Sequence, residues 1–278
     1  RQRRMKQILT VVRMMFLLSK EKRHDSLFRS ETILHSLLEL LSGEDRGQAG
    51  RGGGGDGRGG RGGGRSARVR LPISILVYAT GALKNCCMSD GENQKVLGLQ
   101  GGIQTLTDMA NAVIQSKRHG ENVSATNDAT NDTTSESSDK QIVQLLVQIT
   151  GVLCAMCKRK QHYPQFWSSW TVPMLCSALK RFVPSNVKHD DGKKKSKTQV
   201  ELPLNCVRIL SKLSLHVKGR DAMSSSTSGS SSPGSTSRTL ECLVRLCTYA
   251  HWLRNDAMLV RTLFVLGNVT AGTGDGSN

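Results

Sequence analysis

The run ATGALKN (Ala79–Asn85), followed by GENQKVLGLQGGIQTL (Gly91–Leu106), decides the fold of this chain. The pattern predicts a helix, a short connection, a second short helix, and a Gly-Gly break that opens a third helix. Weaker copies occur elsewhere, so the stretch belongs to a repeat. Stacked helical repeats mostly build binding surfaces, and this pattern therefore favours a binding protein over an enzyme.

The copies align on Leu83, the apolar residue two positions before Asn85. Each copy has apolar residues at helical spacing. Once low-complexity runs are removed, most of the distances between the aligned leucines of successive copies are about 40–47 residues. The longer helix recurs in VVRMMFLLSK (11–20), LVQITGVLCAMC (146–157), VRILSKLSLH (207–216) and VRTLFVLGNVTA (260–271). A second amphipathic helix recurs in SETILHSLLELL (30–41), GGIQTLTDMANAVI (101–114), WTVPMLCSALKRFV (170–183) and SRTLECLVRLCTYA (237–250).

The junction between units resembles the armadillo-repeat family. That family ends a unit with a pattern like A-x-(W/G)-A-L-x-N-L, then continues with N-x-x-x-(I/V/L) and G-(G/A)-I-x-x-L. The matching residues here are Ala79, Gly81, Ala82, Leu83 and Asn85, then Asn93, Val96 or Leu97, Gly101, Gly102, Ile103 and Leu106. The resemblance implies an all-α fold over residues 1–278. The expected architecture is an armadillo-type right-handed superhelical solenoid fragment of about four to five three-helix units.

The resemblance also implies protein-binding residues. In armadillo proteins that bind extended peptides, the Asn equivalent to Asn85 lies on the concave face and hydrogen-bonds the peptide backbone. We therefore expect Asn85 and Asn268 to contact a partner, with Lys20, Gly81 and Phe264 as further candidates.

This ladder of binding residues is irregular. Ala155 and Leu215 stand at the Asn position of the intervening copies and Lys20 stands there in the first copy, and no copy has the Trp that accompanies the Asn in the family. The alternative interpretation is that Asn85 and Asn268 cap or bridge neighbouring helices.

Four low-complexity inserts interrupt the helical pattern. None contains enough apolar residues to offset the entropy of ordering the chain, so we expect them to be disordered. They are residues 43–70, 118–139, 188–198 and 224–237. The first three separate the second and third helices of a unit, and the last separates the first and second.

The sequence predicts no catalytic, cofactor-binding or metal-binding residues. It contains no G-x-S-x-G, H-E-x-x-H, P-loop or kinase pattern, and its seven histidines are scattered. Cys154 and Cys157 form a C-x-x-C, but no second ligand pair accompanies them. The eight cysteines lie in apolar helices, which predicts small buried side chains in a reducing compartment.

The net charge of +17 favours partners with acidic or extended segments. The Arg-Gly run at Arg51–Arg65 offers an alternative, RNA binding through phosphate attraction and guanidinium stacking. No stretch is long and apolar enough to cross a bilayer. Arg13 interrupts the apolar N-terminal run, so we interpret that run as an amphipathic repeat helix rather than a signal peptide.

These observations predict a non-catalytic scaffold or adaptor. The VLGNVTA ending, with Val260 and Arg261 before it, resembles a ciliary member of the family associated with radial spokes and sperm flagella. This resemblance implies a cytoplasmic protein of the cilium or flagellum, in axoneme or radial-spoke assembly or transport. The alternatives are a nuclear-import-like peptide-binding adaptor and an RNA-associated protein. Because neither end has a polar cap, we expect a fragment of a longer solenoid.

Overall fold

The computed structural model describes residues 2–42, 71–116, 132–184, 197–224 and 238–271. All regular secondary structure in these ranges is helical. The elements are α1 (Gln2–Leu18), the 3-10 helix η1 (Lys22–Arg29), α2 (Glu31–Ser42), α3 (Ile73–Ser89), α4 (Gly91–Leu99), α5 (Gly102–Ser116), α6 (Asp132–Met156), the 3-10 helix η2 (Lys160–His162), α7 (Tyr163–Ser168), α8 (Thr171–Phe182), α9 (Lys197–Leu213), α10 (Val217–Ser224), α11 (Arg238–Trp252) and α12 (Asp256–Ala271).

The helices recur in the order short, long, long. The first helices are η1, α4, α7 and α10, the second helices are α2, α5, α8 and α11, and the third helices are α3, α6, α9 and α12. Helix α1 precedes them and packs against α3 as a third helix would. Each third helix packs against the next in chain order, and so does each second helix. The predicted all-α fold is therefore confirmed for the described residues. The number of units and the handedness of the stack stay predictions.

Buried side-chain hydrogen bonds fix the junction quoted at the outset. Asp90 caps α4 by accepting hydrogen bonds from the backbone N–H groups of Glu92 (2.9 Å) and Asn93 (3.3 Å). Asn93 and Gln94 in turn donate to carbonyl oxygens at the end of α3, at 3.1 Å and 2.7 Å. Gly101 then adopts a φ of +73°, a conformation that glycine reaches without steric strain. The Asn of the family pattern thus joins two helices of the stack.

The aligned apolar residue of the third helices lies in the core wherever a helix has two neighbours. Leu83, Leu153 and Leu213 are fully buried, whereas the equivalent Leu18 of α1 is exposed and Leu266 of α12 is half-buried. Helix α1 and the four third helices thus form a row. A helix at the end of this row has a neighbour on one side only, which explains the difference in burial.

Most of each predicted insert lies outside the described residues. Helices reach the margins of three of them, because α6 begins at Asp132, α9 begins at Lys197 and α10 ends at Ser224. The helices are therefore longer at these margins than the sequence pattern predicted. Extending an existing helix by a few polar residues costs little free energy, since its nucleus is already formed.

In the described ranges no single helix is both long and apolar enough to span a membrane. A pair of segments bent by 115°, Asp139–Met156 with Lys160–Ser168, passes the same test only when the two are taken together.

His162 is a buried titratable group in the core between units. Its Nδ1 atom lies 3.1 Å from the carbonyl oxygen of Met156, and a carbonyl can only accept, so Nδ1 carries the proton. A Cβ atom built on Gly98 would lie 2.6 Å from Nε2, which shows how closely the ring packs against α4. Burial lowers the pKa of His162, the Met156 carbonyl opposes this, and Arg159 lowers it further.

The lowered pKa predicts that acid destabilises the fold. Below the ordinary value of 6.5 the unfolded chain binds a proton at His162 before the folded chain does. The contribution of neutral His162 to the free energy of unfolding is therefore fully present above that pH and decreases as the pH falls towards the lower pKa of the folded state. Urea denaturation at pH 7.5 and 5.5 measures the decrease, which His162→Gln should reduce. An unchanged pH dependence in the variant would contradict this assignment.

Candidate protein-binding surface

Asn85 joins α3 to the end of α1. Its Nδ2 atom donates a hydrogen bond of 3.0 Å to Ser19 Oγ, and that hydroxyl donates to the Phe16 carbonyl oxygen at 2.9 Å. Ser19 is buried and Asn85 is half-buried. The side chain thus has the geometry of the bridging alternative.

Asn268 repeats this arrangement at the other end of the row. Its Nδ2 atom donates to Ser214 Oγ at 3.0 Å, and Ser214 donates to the Ser211 carbonyl oxygen at 3.0 Å. Ser214 stands at the position that Ser19 has in the first copy.

The two copies without Asn also lack this serine. Ala155 follows α3 in the row, and α3 has Lys84 at the serine position. Leu215 follows α6 in the row, and α6 has Cys154 at that position. Asn and Ser therefore occur together or not at all. This pairing is a signal that the sequence contains and that alignment on the Asn position alone does not reveal.

The structure brings Lys20, Gly81 and Asn85 together around the end of α1. The Phe16 ring covers Gly81 so closely that a Cβ atom there would lie 2.7 Å from the ring. Lys20 Nζ lies 4.3 Å from the centroid of the same ring, within the range of a cation–π interaction. Tyr78 packs beside Phe16, with 5.5 Å between the ring centroids. Gly81 is buried, so its contact with a partner would need Phe16 to move.

Phe264 lies apart from these residues, on α12. It is 46% exposed, and Val260 and Leu263 beside it are also exposed. Val77 and Thr80, the residues of α3 equivalent to Val260 and Leu263, are buried. Helix α6 packs against α3, whereas no later helix in the described ranges packs against α12.

An ion pair spans three third helices. Lys84 Nζ on α3 donates to Glu201 Oε1 on α9 at 3.2 Å, and both side chains are partly exposed. The aliphatic part of Lys84 crosses α6 at Gly151, where a Cβ atom would lie 2.8 Å from Lys84 Cδ. Gly151 therefore leaves the space through which the lysine reaches its partner.

The third helices carry basic charge that is not matched by acidic residues. The acidic residues of α6, α9 and α12 lie near the beginnings of these helices, and α1 and α3 contain none; they are Asp132, Glu136, Asp139, Glu201 and Asp256. The Lys and Arg residues of the row are twice as many, namely Arg3, Arg4, Lys6, Arg13, Lys84, Lys140, Lys197, Arg208, Lys212 and Arg261. The row therefore presents positive charge to solvent.

Four cations converge on the thiol of Cys154, and we call them the basic cluster. They are Arg208, Lys158, Lys212 and Arg261, from the turn after α6 and from α9 and α12. Burial raises the pKa of Cys154 and the four cations oppose this, with a net increase. The increase favours the neutral thiol form of Cys154.

Trp170 is a feature that sequence reasoning missed. The apolar pattern predicts that Trp170 begins an amphipathic helix, whereas it precedes α8 in a left-handed conformation with φ of 59° and ψ of 24°. Gly101 has the same conformation at the equivalent position before α5. Such a conformation strains a bulky residue. Trp170 is 63% exposed.

A cavity of about 520 Å³ lies among the first helices and is lined by charges of both signs. Arg29 Nε donates to Asp90 at 2.9 Å within it. Partial burial raises the pKa of Asp90, but Arg29 and the capping N–H groups outweigh burial and keep that pKa below its ordinary value. Asp90 is therefore engaged in capping and ion pairing. Among the described residues, no group of three His, Cys, Asp or Glu could hold a metal ion.

Comparison with known proteins agrees with the helical order. No protein-family model matches the chain. The chain is 22% identical over 266 residues to armadillo repeat-containing protein 2 of Homo sapiens. It resembles the armadillo-repeat family. The alignment covers 96% of this chain and 23% of that protein, so the chain spans about a quarter of its relative. Armadillo-type helical scaffolds are typically non-catalytic, and the resemblance supports a protein-binding scaffold.

Asn85→Ala and Ser19→Ala should lose the same interaction. Each change should lower the free energy of unfolding by about 0.5–1.5 kcal/mol, because a half-buried hydrogen bond is lost. The double variant should lose little more than either single variant, which urea denaturation in a double-mutant cycle measures. Asn85→Ala combined with Ser214→Ala is the matched control, and those two changes should add. Additive effects in the first pair would contradict the bridge.

Gly151→Ala and Gly219→Ala should differ in their effect on stability. A Cβ at Gly151 would contact the flexible Lys84 side chain, which can move aside. We expect the free energy of unfolding to change by less than about 1 kcal/mol, because the better helix propensity of alanine offsets the weakening of the Lys84–Glu201 ion pair. A Cβ at Gly219 would overlap the Leu213 carbonyl oxygen, which is backbone and cannot move aside, and we expect a loss of about 1–3 kcal/mol from overpacking. Equal losses in urea denaturation would refute the distinction.

Proposed function

We propose that this chain is a non-catalytic protein-binding scaffold that holds an acidic, extended segment of a partner along its third helices. In this proposal residues 1–278 form an armadillo-type right-handed superhelical solenoid of four to five three-helix units. The third helices line the face that is concave in armadillo proteins. The observation that carries the proposal is the unmatched positive charge of this row, concentrated in the basic cluster.

Electrostatics favour an acidic segment over a basic one. Lys212 and Arg261 form no ion pair in the described ranges, and the carboxylate of Glu201 on α9 is already paired with Lys84. Complementary charge speeds encounter and rejects partners of the same sign. A basic nuclear-localisation peptide would be repelled by this surface. The incomplete Asn ladder also gives such a peptide few amide contacts, so the nuclear-import alternative is the weaker one.

The cellular setting that we propose is the cytoplasm and the cilium or flagellum, in axoneme or radial-spoke assembly or transport. Its support is the resemblance of the VLGNVTA ending to a ciliary member of the family, together with the similarity to armadillo repeat-containing protein 2. RNA association through Arg51–Arg65 is the third alternative, and that run lies outside the described residues. A pull-down from ciliated cells separates the three. Radial-spoke or intraflagellar-transport proteins would support the first, importin-type cargo the second, and partners lost on RNase treatment the third.

Neutralising the basic cluster should weaken binding to an acidic probe. A fluorescein-labelled glutamate-rich peptide serves as the probe in fluorescence anisotropy at low salt. Arg208→Gln with Lys212→Gln should raise the Kd about tenfold, since two charge contacts are lost in a partly desolvated row. Lys95→Gln with Lys180→Gln is the matched control, because it removes the same net charge from exposed residues of α4 and α8.

The outcomes of this experiment are distinct. A small effect of the control and a large effect of the cluster variant support the proposed face. Equal weakening in both variants would show that only net charge matters, and the assignment to the third helices would then fail. No binding of the probe by the unchanged protein would refute the acidic-segment proposal itself.

A further inference from the structure

Two buried cysteines face each other across the contact between α8 and α11. Cys242 Sγ lies 3.5 Å from the carbonyl oxygen of Cys176. Cys176 Sγ lies 3.5 Å from Thr239 Oγ1, which is one helical turn before Cys242. Each sulfur therefore lies against the turn that carries the other. Cys176 is 7% exposed and Cys242 is 5% exposed.

The surroundings give the two thiols different chemistry. The neighbouring Cys176 thiol lowers the pKa of Cys242, burial and Glu241 oppose this, and Arg245 and Lys180 lower it further, with a net decrease. The same interaction between the two thiols, together with burial, raises the pKa of Cys176. Cys242 is thus the sulfur that more readily becomes a thiolate, which is the nucleophilic form.

We propose that Cys176 and Cys242 are a redox modification site that closes to a reversible disulfide, with a hydroperoxide as the oxidant. Hydrogen peroxide is the smallest member of that class and reaches the pair during local opening of the helix contact. The site is separate from the third-helix row and does not depend on the function proposed above.

The chemistry balances in two steps. The Cys242 thiolate attacks one oxygen of hydrogen peroxide, the O–O bond breaks, and hydroxide leaves to take up a proton as water. The Cys242 sulfenic acid that results is attacked by Cys176, the S–O bond breaks, and a second water leaves with the Cys176 proton. Both sulfurs are oxidised and the peroxide is reduced. A thiol reductant reverses the reaction through a mixed disulfide.

The other cysteines lack this arrangement. Cys154 and Cys157 lie on one helix, and burial is the main cause that raises the pKa of each. Cys206 lies near Cys176, but it is fully buried and its pKa is also raised by burial. Cys247 is more exposed than Cys242 and lies on the same helix, and burial raises its pKa. Exposure alone would therefore direct oxidation to Cys247, whereas the paired geometry directs it to Cys242.

The disulfide would join two second helices that follow one another in the stack. The bridged residues are 66 positions apart, so the cross-link closes a long loop and restricts the unfolded chain. The oxidised protein should therefore melt at a higher temperature than the reduced protein, and dithiothreitol should reverse the shift.

Peptide mapping by mass spectrometry tests the site. The folded protein is treated with hydrogen peroxide, alkylated and digested without reduction. We expect a linked peptide pair containing Cys176 and Cys242 that is lighter by two hydrogen atoms, and a raised Tm. Cys176→Ser should leave Cys242 as a sulfenic acid that dimedone traps, and Cys242→Ser should leave Cys176 unmodified. Cys247→Ser is the control and should not alter the linked pair.

Other results would overturn the proposal. One is oxidation of Cys247 or Cys154 while Cys176 and Cys242 stay reduced. Another is a linked pair that forms only in urea, because the cross-link would then belong to the unfolded chain. Circular dichroism of each serine variant confirms folding, and the map of the unchanged protein stands even if a variant fails to fold.

Discussion

The third helices must be apolar on two opposite sides, because each is packed between the helix before it and the helix after it. Leu83, Leu153 and Leu213 meet this requirement and are fully buried. Most polar groups in this environment find a partner, although the buried hydroxyl of Thr80 on α3 has none among the described residues. Thr150 and Thr262, for example, donate to carbonyl oxygens of their own helices at 2.8 Å and 2.7 Å. Polar and charged side chains can therefore vary mainly in the one stripe of each third helix that faces solvent.

In that stripe the chain differs from armadillo proteins that bind extended peptides through a regular ladder of Asn residues. Its two asparagines are tied to serines of the preceding helix, and one of its lysines is tied to a glutamate two helices away. What is left for a partner is mostly charge. Recognition by charge tolerates more sequence variation than recognition by a ladder of amides, since Coulomb attraction needs no fixed hydrogen-bond geometry. A scaffold that works this way selects partners by composition more than by an exact motif.

The order of the helices was predictable from sequence, and so was a bridging role for the two asparagines as one of two alternatives, whereas the partners of the site residues were not. Helical periodicity and the Asp90 to Gly102 junction are local signals, and local signals are sufficient to place α3, α4 and α5. The Asn85 bridge depends on a serine 66 residues away, and the Lys84 ion pair on a glutamate 117 residues away. Periodicity does not report such distant pairs. Comparison of the copies does report one of them, because Ser and Asn are present or absent together. Trp170 was missed for a local reason, since its backbone conformation is usual for glycine and not for tryptophan.

The link from Lys84 over Gly151 to Glu201 changes how the stack should come apart. In a repeat protein whose units touch only their neighbours, any unit can open with just its two interfaces lost. Here α6 cannot swing outward without first displacing a side chain that lies across it and is anchored on both sides. Opening of α6 should therefore be coupled to α3 and α9 by the modest free energy of one partly exposed ion pair.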